Sequence, residues 1–330
     1  MTSTAVIQVK QGIGDVVWHL PFIRAIAAAE PEGMVSFLTL PSTHARELLQ
    51  AEPCVAEVVY FEHKGSELAR GVHLALLVAL LRKRRFRKVW ILDRTVRPAL
   101  AAKLAGIPER IGLGLGPQRW FITNPGIDPR DRHAWMIEWL RELMAAMNVP
   151  LASAEPELKL PRSMLAAMAA RHAGAARPWT VIALGASHTS KDWPDTSWIA
   201  FLDMLRRQAA GTVFLIGGPG NAARADVLIA RSAGTPALNL CHLTVIEAAA
   251  LLQLADLFVG PDSGPMNLAA AGGTPAFALF GSTPVHRYSR FIHAIEPADG
   301  GGPTPDGMGR ILPAQVFARI EPYLGTMKTP

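Results

Sequence analysis

Short apolar runs alternate with segments of helical period along the whole chain, and this alternation limits the fold more than any other feature. In the first half the apolar runs fall at 5–9, 34–40, 57–61, 88–92 and, more briefly, 110–112. Helical patterns lie between them at 15–29, 43–50, 66–84 and 96–105, with another at 132–147. A helix between consecutive strands is the crossover that parallel pairing needs, so the pattern predicts βαβ units and a parallel sheet. The second half repeats it, with strands predicted at 180–184, 212–216, 237–239, 257–259 and 276–280 and helices at 197–209, 222–233, 244–254 and 265–271. Between the halves, 150–161 is polar and proline-bearing, a plausible linker, and a helix at 163–173 leads out of it. The expected organisation is two doubly wound α/β domains, 1–160 and 161–330, with a closing helix at 314–324 able to pack back on the first. The Gly- and Pro-rich stretch 299–309 reads as a mobile loop. Sheets of this kind bind ligands at the carboxyl ends of their strands, which places the expected site in a cleft between the domains.

Composition removes several classes. Half of the 330 residues are hydrophobic and 18% are charged, enough for two cores. No apolar run approaches the ~20 residues of a membrane span; the longest, 74–81, reads as a buried helix face. The chain begins directly with a strand, without a basic leader or cleavage site, which suits a cytoplasmic protein. Cys54 and Cys241 have no metal-type spacing and suggest neither a disulfide nor a metal site. The net charge of +6 is unevenly spread: 63–97 holds ten Lys or Arg against Glu67 and Asp93. That segment is either a solvated helix end, where cations suit the helix dipole, or a surface for an anionic partner. Aromatic residues do not interleave with the charge, which disfavours nucleic acid.

Four loops follow predicted strands and carry the candidate chemistry. In 259–280, Asp262 and Ser263 read as helix caps and Pro265 as a first-turn proline; Gly272-Gly273 then end the helix. A helix N-terminus at the carboxyl edge of a parallel sheet offers free N–H groups to a phosphate. Gly12-Ile13-Gly14-Asp15 follows the first strand, and Asp15 is read either as a helix cap or as a base facing the cleft. Trp18 stands where a dinucleotide fingerprint needs its third glycine, which argues against a nicotinamide enzyme. The loop 185–194 offers Ser187, Thr189 and Lys191, with Trp193 and Pro194 to pack it down. Gly217-Gly218 make a turn that a flat ring such as a nucleobase could approach. There is no Asp-x-Asp pair, nucleophile elbow or Walker-type lysine, so basic groups and helix N-termini would have to neutralise any phosphate.

These residues resemble a known family in combination and in order. Gly12-Ile13-Gly14-Asp15 with Leu20-Pro21, Lys191-Asp192-Trp193-Pro194, Asp262-Ser263-Gly264-Pro265-Met266, Gly273-Thr274-Pro275 and Leu279-Phe280-Gly281 are similar to glycosyltransferase family 9, the bacterial heptosyltransferases of lipopolysaccharide core assembly. Leu92-Asp93-Arg94-Thr95-Val96-Arg97 with Leu104-Ala105-Gly106 also looks like the family's first domain. The resemblance implies a GT-B fold: two Rossmann-like doubly wound domains, acceptor on the first and nucleotide sugar on the second. It implies inverting, metal-independent transfer, typically from ADP-L-glycero-β-D-manno-heptose to Kdo or heptose, without a cofactor. By position, Asp15 would be the general base. Ser187, Thr189, Lys191, Gly217, Gly218, Asp262, Ser263, Gly264 and Asn267 would meet the donor, and Gly14, Lys64, Arg94 and Arg97 the acceptor. The implied partners are a nucleotide sugar and an anionic glycolipid or saccharide, with peripheral contact at the inner face of the inner membrane and no nucleic acid. Two positions depart from the pattern. Asn267 stands where the family usually has His, and Asn221, Ala222 and Ala223 stand where an acid often meets the ribose. The alternatives are a sugar-nucleotide epimerase or hydrolase of the same fold, and a degenerate sugar-nucleotide-binding protein.

Overall fold

The structure, a computed structural model, describes residues 2–324 except 63–65, 132–133, 187, 209–210, 233 and 235, and leaves out the Glu67 side chain. The chain divides into two compact units, Met1–Pro156 and Glu157–Pro330.

The first unit runs β1 (Thr4–Ile7), α1 (Ile13–Ala28), β2 (Val35–Thr39), α2 (Ala45–Leu48), β3 (Val55–Tyr60), α3 (Glu67–Arg84), β4 (Lys88–Ile91), α4 (Val96–Leu104), β5 (Glu109–Gly112) and α5 (Met136–Ala146). Its described strands form one parallel sheet in the order β3-β2-β1-β4-β5. β1 and β4 are fully or almost fully buried, as continuous Val/Ile/Ala runs in a parallel sheet must be. On one face Ala5, Ile7, Val89 and Ile91 meet Leu77, Leu81 and Ala102 from α3 and α4. The chain winds outward from β1 in one direction, then crosses back to β4, so the switch in winding lies between β1 and β4.

The second unit runs α6 (Arg162–Arg171), β6 (Trp179–Ala183), α7 (Asp195–Arg207), β7 (Thr212–Ile216), α8 (Ala222–Arg231), β8 (Ala237–Asn239), α9 (Val245–Leu254), β9 (Leu257–Pro261), α10 (Gly264–Ala271), β10 (Ala276–Leu279), β11 (Ile292–Ile295) and α11 (Pro313–Leu324). The sheet order is β11-β10-β9-β6-β7-β8, all parallel, with the switch between β6 and β9. Val316 and Ile320 of α11 are fully buried in this unit's own core, beside Phe277, Leu279 and Trp193. The polar linker is anchored to the same unit: Leu158 and Leu160 are buried, and the Leu158 N–H donates to the Ala271 carbonyl at 2.9 Å.

Two local expectations change. The sequence pattern lacks β11, a four-residue edge strand in which His293 interrupts the apolar run. The Gly- and Pro-rich segment 299–309 is strapped down rather than loose. Arg310 pairs with Asp299 at 2.6 Å and donates to the Gly302 carbonyl at 2.7 Å, and Met308 is buried in the core. Gly307 packs backbone to backbone on Gly281; a Cβ there would lie 1.8 Å from the Gly281 oxygen. These glycines permit close approach, and mobility is not what they supply.

Candidate active site

The candidate residues of the first unit gather around the β1/β4 switch. After β1 the chain turns at Gly12, whose extended backbone precedes α1. The Gly12 N–H donates to Asp15 Oδ2 at 2.8 Å, so the carboxylate reaches back over the first turn of α1. A Cβ on Gly12 would sit 2.8 Å from the same oxygen and push the Asp15 carboxylate out of this arrangement. Gly14 is buried within that turn. Burial pushes the Asp15 carboxyl above its ordinary 3.8, against the Gly12 N–H, the nearby Lys10 charge and a hydrogen bond from the Trp18 side chain. Both sequence readings of Asp15 therefore have a structural counterpart: it satisfies a helix-start N–H, and it is a carboxylate pushed toward the proton.

His19, on the next turn, is fully buried and stacked on Trp18 at 3.8 Å. It contacts the Asp15 carbonyl through Nδ1 and the Leu92 carbonyl through Nε2 at 3.3 Å, so it ties α1 to the end of β4. Burial pushes its imidazole down to about 4, which keeps it neutral near pH 7. Asp93, at that strand end, is buried and accepts from the Val9 N–H at 3.2 Å and the Thr95 N–H at 2.6 Å. Buried Gln118 donates to the Asp93 carbonyl at 2.8 Å. These bonds fix the turn into α4; exposed Arg94 lies in that turn and half-buried Arg97 in the first turn of the helix. Lys64 lies outside the described residues.

In the second unit the same edge is built differently. Lys191, on the loop after β6, reaches the loop after β9: its Nζ donates to Asp262 Oδ2 at 2.7 Å and to the Asp262 carbonyl at 3.1 Å. Thr283 Oγ1 donates to the same Oδ2 at 3.0 Å, and His286 Nε2 lies 3.7 Å away. Burial pushes His286 down to about 4, with the Asp262 charge resisting and the Lys191 charge assisting. Asp262 is therefore not a helix cap, contrary to the sequence expectation, because its carboxylate is taken by Lys191 and Thr283. Ser263 occupies the N-cap position of α10 without a side-chain capping bond, and its hydroxyl is buried with no hydrogen-bond partner. Gly264 opens α10. Buried Asn267 turns its amide back to the Ser263 carbonyl, Nδ2 to oxygen 2.8 Å, leaving Oδ1 unpartnered.

The Lys191 loop is held from below. Trp193 is buried, donates Nε1–H to the Ile311 carbonyl at 2.9 Å and meets Trp198 edge-on at 4.7 Å. Arg224 of α8 donates to Asp195 at 2.7 Å, to the Trp193 carbonyl at 3.0 Å and to Asp192 at 3.3 Å. Thr189 is exposed in the short turn before Lys191, and Ser187 is outside the described residues. At the glycine turn after β7, the protein fills Gly217 itself: a Cβ there would meet Asn221 at 3.0 Å. Gly218 has open space where its side chain would be. Among the described residues, no group of three or more His, Cys, Asp or Glu could hold a metal ion.

Two parallel α/β units, each with candidate side chains at the carboxyl edge beside its switch in winding, have the GT-B architecture. The family model for glycosyltransferase family 9 (heptosyltransferase) matches residues 75–296, more than half of the chain, and the chain belongs to that family. It is 26% identical over 305 residues to lipopolysaccharide heptosyltransferase 2 of Salmonella typhimurium, covering 86% of each chain. Among solved structures, the ADP-heptose lipopolysaccharide heptosyltransferase II of E. coli superposes with a TM-score of 0.77 at 21% identity, covering 98% of both chains. A family 9 glycosyl transferase from Veillonella parvula superposes with a TM-score of 0.80 at 17% identity, covering 97% of this chain and 96% of that one. The protein is thus a glycosyltransferase, and the epimerase and binding-protein alternatives are not favoured.

Sequence reasoning missed Thr283 and His286, which lie twenty-one and twenty-four residues beyond Asp262 and announce themselves by no motif. It also missed Gln118 and Arg224, which act by holding loops.

Proposed function

We propose that this glycosyltransferase moves a heptose, with inversion, from an ADP-sugar to a saccharide of the lipopolysaccharide core. The observation that carries the reading is the Lys191–Asp262 pair. It joins the two loops that flank the switch point of the second sheet, where a doubly wound fold binds its nucleotide. The similarity to ADP-heptose-dependent and lipopolysaccharide-modifying relatives supports the donor and acceptor classes.

In this reading the second unit takes the donor and the first the acceptor. Asp15 removes the proton from the attacking acceptor hydroxyl. The new bond to the anomeric carbon forms as the bond to the diphosphate oxygen breaks, and the leaving group carries away the electron pair. Lys191, the Ser263 hydroxyl and the N–H groups at the start of α10 meet the charge on the departing ADP, so the step needs no metal. Asp262 and Asn267 face the sugar, Thr189 and Ser187 the phosphates, and Gly217 and Gly218 border the nucleoside. Gly14, Lys64, Arg94 and Arg97 meet the acceptor. An acceptor made on lipid places the enzyme at the cytoplasmic face of the inner membrane.

The test is product analysis with ADP-heptose, with and without core acceptor. A heptosylated core with inverted anomeric configuration supports the proposal. Transfer from another sugar nucleotide alone would overturn the donor, and release of free heptose without acceptor dependence would overturn the transfer.

A further inference from the structure

Most of the cations in 63–97 do not behave alike. Arg84 is paired with Glu57, Lys88 with Glu30 and Glu109, and Arg82 donates to the Leu104 carbonyl at 2.8 Å. Lys83, Arg85 and Arg87 are exposed. The helix that precedes them is more unusual. At 3.6 residues per turn, Leu68, Gly71, Val72, Ala75, Leu76 and Ala79 of α3 share one face, and all six are exposed. The large ones are far out in solvent: Leu68 is 81% exposed, Leu76 61% and Val72 50%. The ridge is about 17 Å long at a helical rise of ~1.5 Å per residue. Its opposite face is spent in the core through Leu77, Val78 and Leu81, so core packing does not account for the outer one. The polar side chains Arg70 and His73 lie off the ridge and are half-buried.

We propose that this outer face of α3 seats the protein on an anionic lipid membrane, with the apolar ridge in the interface and Lys83, Arg85 and Arg87 on the lipid phosphates. This deepens the membrane-face location proposed above and names the surface responsible. The charge pattern selects the partner. No Asp or Glu occurs from 68 to 92, and the carboxylates that reach this stretch from elsewhere, Glu57, Glu30 and Glu109, pair with Arg84 and Lys88 rather than with Lys83, Arg85 or Arg87. An apolar face bordered by cations is how an interfacial helix binds lipid, by burying apolar area and by attraction to anionic headgroups. Among the described residues, a second copy of the chain would bring the same cations and no carboxylate on the ridge itself. The helix does not span: no described helix is long and apolar enough to cross a membrane.

The experiment is co-sedimentation of the full chain with vesicles of phosphatidylglycerol and phosphatidylethanolamine, against phosphatidylcholine alone. The expected result is binding to the anionic vesicles that weakens as salt rises. Leu68→Glu with Leu76→Glu should weaken it by roughly tenfold or more, the loss expected when two leucines cease to be buried. Both sites are exposed, so the melting temperature should hold. Lys83→Glu with Arg85→Glu should weaken binding and flatten its salt dependence. Three results would overturn the proposal: no vesicle binding, binding indifferent to Leu68→Glu/Leu76→Glu, or a dimer in sedimentation that this variant dissociates. Transfer to a soluble, deacylated acceptor should be unchanged in that variant; its loss would assign the face to the saccharide instead. Vesicle binding without any heptosyl transfer would leave this surface standing and remove the proposed reaction.

Discussion

Each unit places a carboxylate at the carboxyl edge of its sheet beside the switch in winding, after β1 in the first and after β9, the counterpart of β4, in the second, and the two are treated in opposite ways. In the first, Asp15 follows the central strand and receives a backbone N–H and a Trp18 hydrogen bond, while Lys10 acts on it only at longer range. Among the described residues no ion pair reaches it. In the second, Asp262 follows the strand at the switch point and is held by an ammonium at 2.7 Å and a hydroxyl at 3.0 Å. A carboxylate pushed upward by burial gains affinity for a proton, whereas one clamped by a cation is a fixed acceptor that orients its neighbours. The fold supplies the position, and the neighbours decide between base and clamp. Four experiments test this division, in falling order of expected effect.

Asp15→Asn keeps the shape and can still accept the Gly12 N–H, but it cannot take a proton. If Asp15 is the base, kcat should fall by at least about 10², the lower end of general-base assistance. Stability should move the other way. A carboxyl with a raised folded pKa contributes stability that is fully present at low pH and lost as pH rises through that pKa. At neutral pH the ionised, half-buried Asp15 is therefore a cost, and Asp15→Asn should melt no lower than the wild type. A variant that melts lower while turning over normally would make Asp15 a structural cap and nothing more.

Lys191→Gln breaks the clamp. A hydrogen bond to a charged group contributes about 1.5–3 kcal/mol, so ADP affinity by calorimetry should fall roughly ten- to a hundredfold if Lys191 meets the diphosphate. The variant also leaves Asp262 without its cation. Adding Asp262→Asn should restore the melting temperature but not the ADP affinity. Recovery of both would mean that Lys191 only neutralises Asp262.

The third test is the pH profile of kcat. As pH falls, activity should be lost with the protonation of a group above the ordinary Asp value of 3.8, because burial lifts Asp15. If the second unit governs ADP binding, as proposed, that binding should not share the limb through Asp15. The same midpoint for both, unchanged in Asp15→Asn, would remove the distinction between the two edges.

The sequence carried the alternation that makes two parallel sheets, and the position of Asp15 straight after a strand and two glycines. It could not carry contacts made by tertiary folding. Lys191 and Asp262 are seventy-one positions apart and meet only because β6 and β9 are neighbours. Asp262 reads as a helix cap because Asp before a proline-bearing first turn commonly is one; a cation reaching it from another loop reverses that preference. Gly307 reads as part of a mobile loop and proves to be in tight backbone contact with Gly281, since a glycine's spacing says nothing about what presses against it. The strand β11 escaped because a half-buried edge strand interrupted by His lacks a continuous apolar run.

The smallest effect belongs to Arg224, and it asks whether the second edge is held by ion pairs or by packing. Arg224 ties Asp192, the Trp193 carbonyl and Asp195, so it holds the residue next to Lys191 and brackets Trp193. Its partner carboxylates are 30% and 49% exposed, where screening leaves an ion pair about 0–1 kcal/mol. Trp193 has independent anchors in the Ile311 carbonyl and the Trp198 and Phe201 rings. Arg224→Ala should therefore let the loop relax without releasing it, raising donor KM a few-fold, with kcat and the Asp15-governed pH limb unchanged. The effect should fade as salt rises, since added ions already weaken the pairs in the wild type. A change in kcat, or a KM effect as large as that of Lys191→Gln, would mean that Lys191 is aimed by Arg224 and not by the buried tryptophan beneath it.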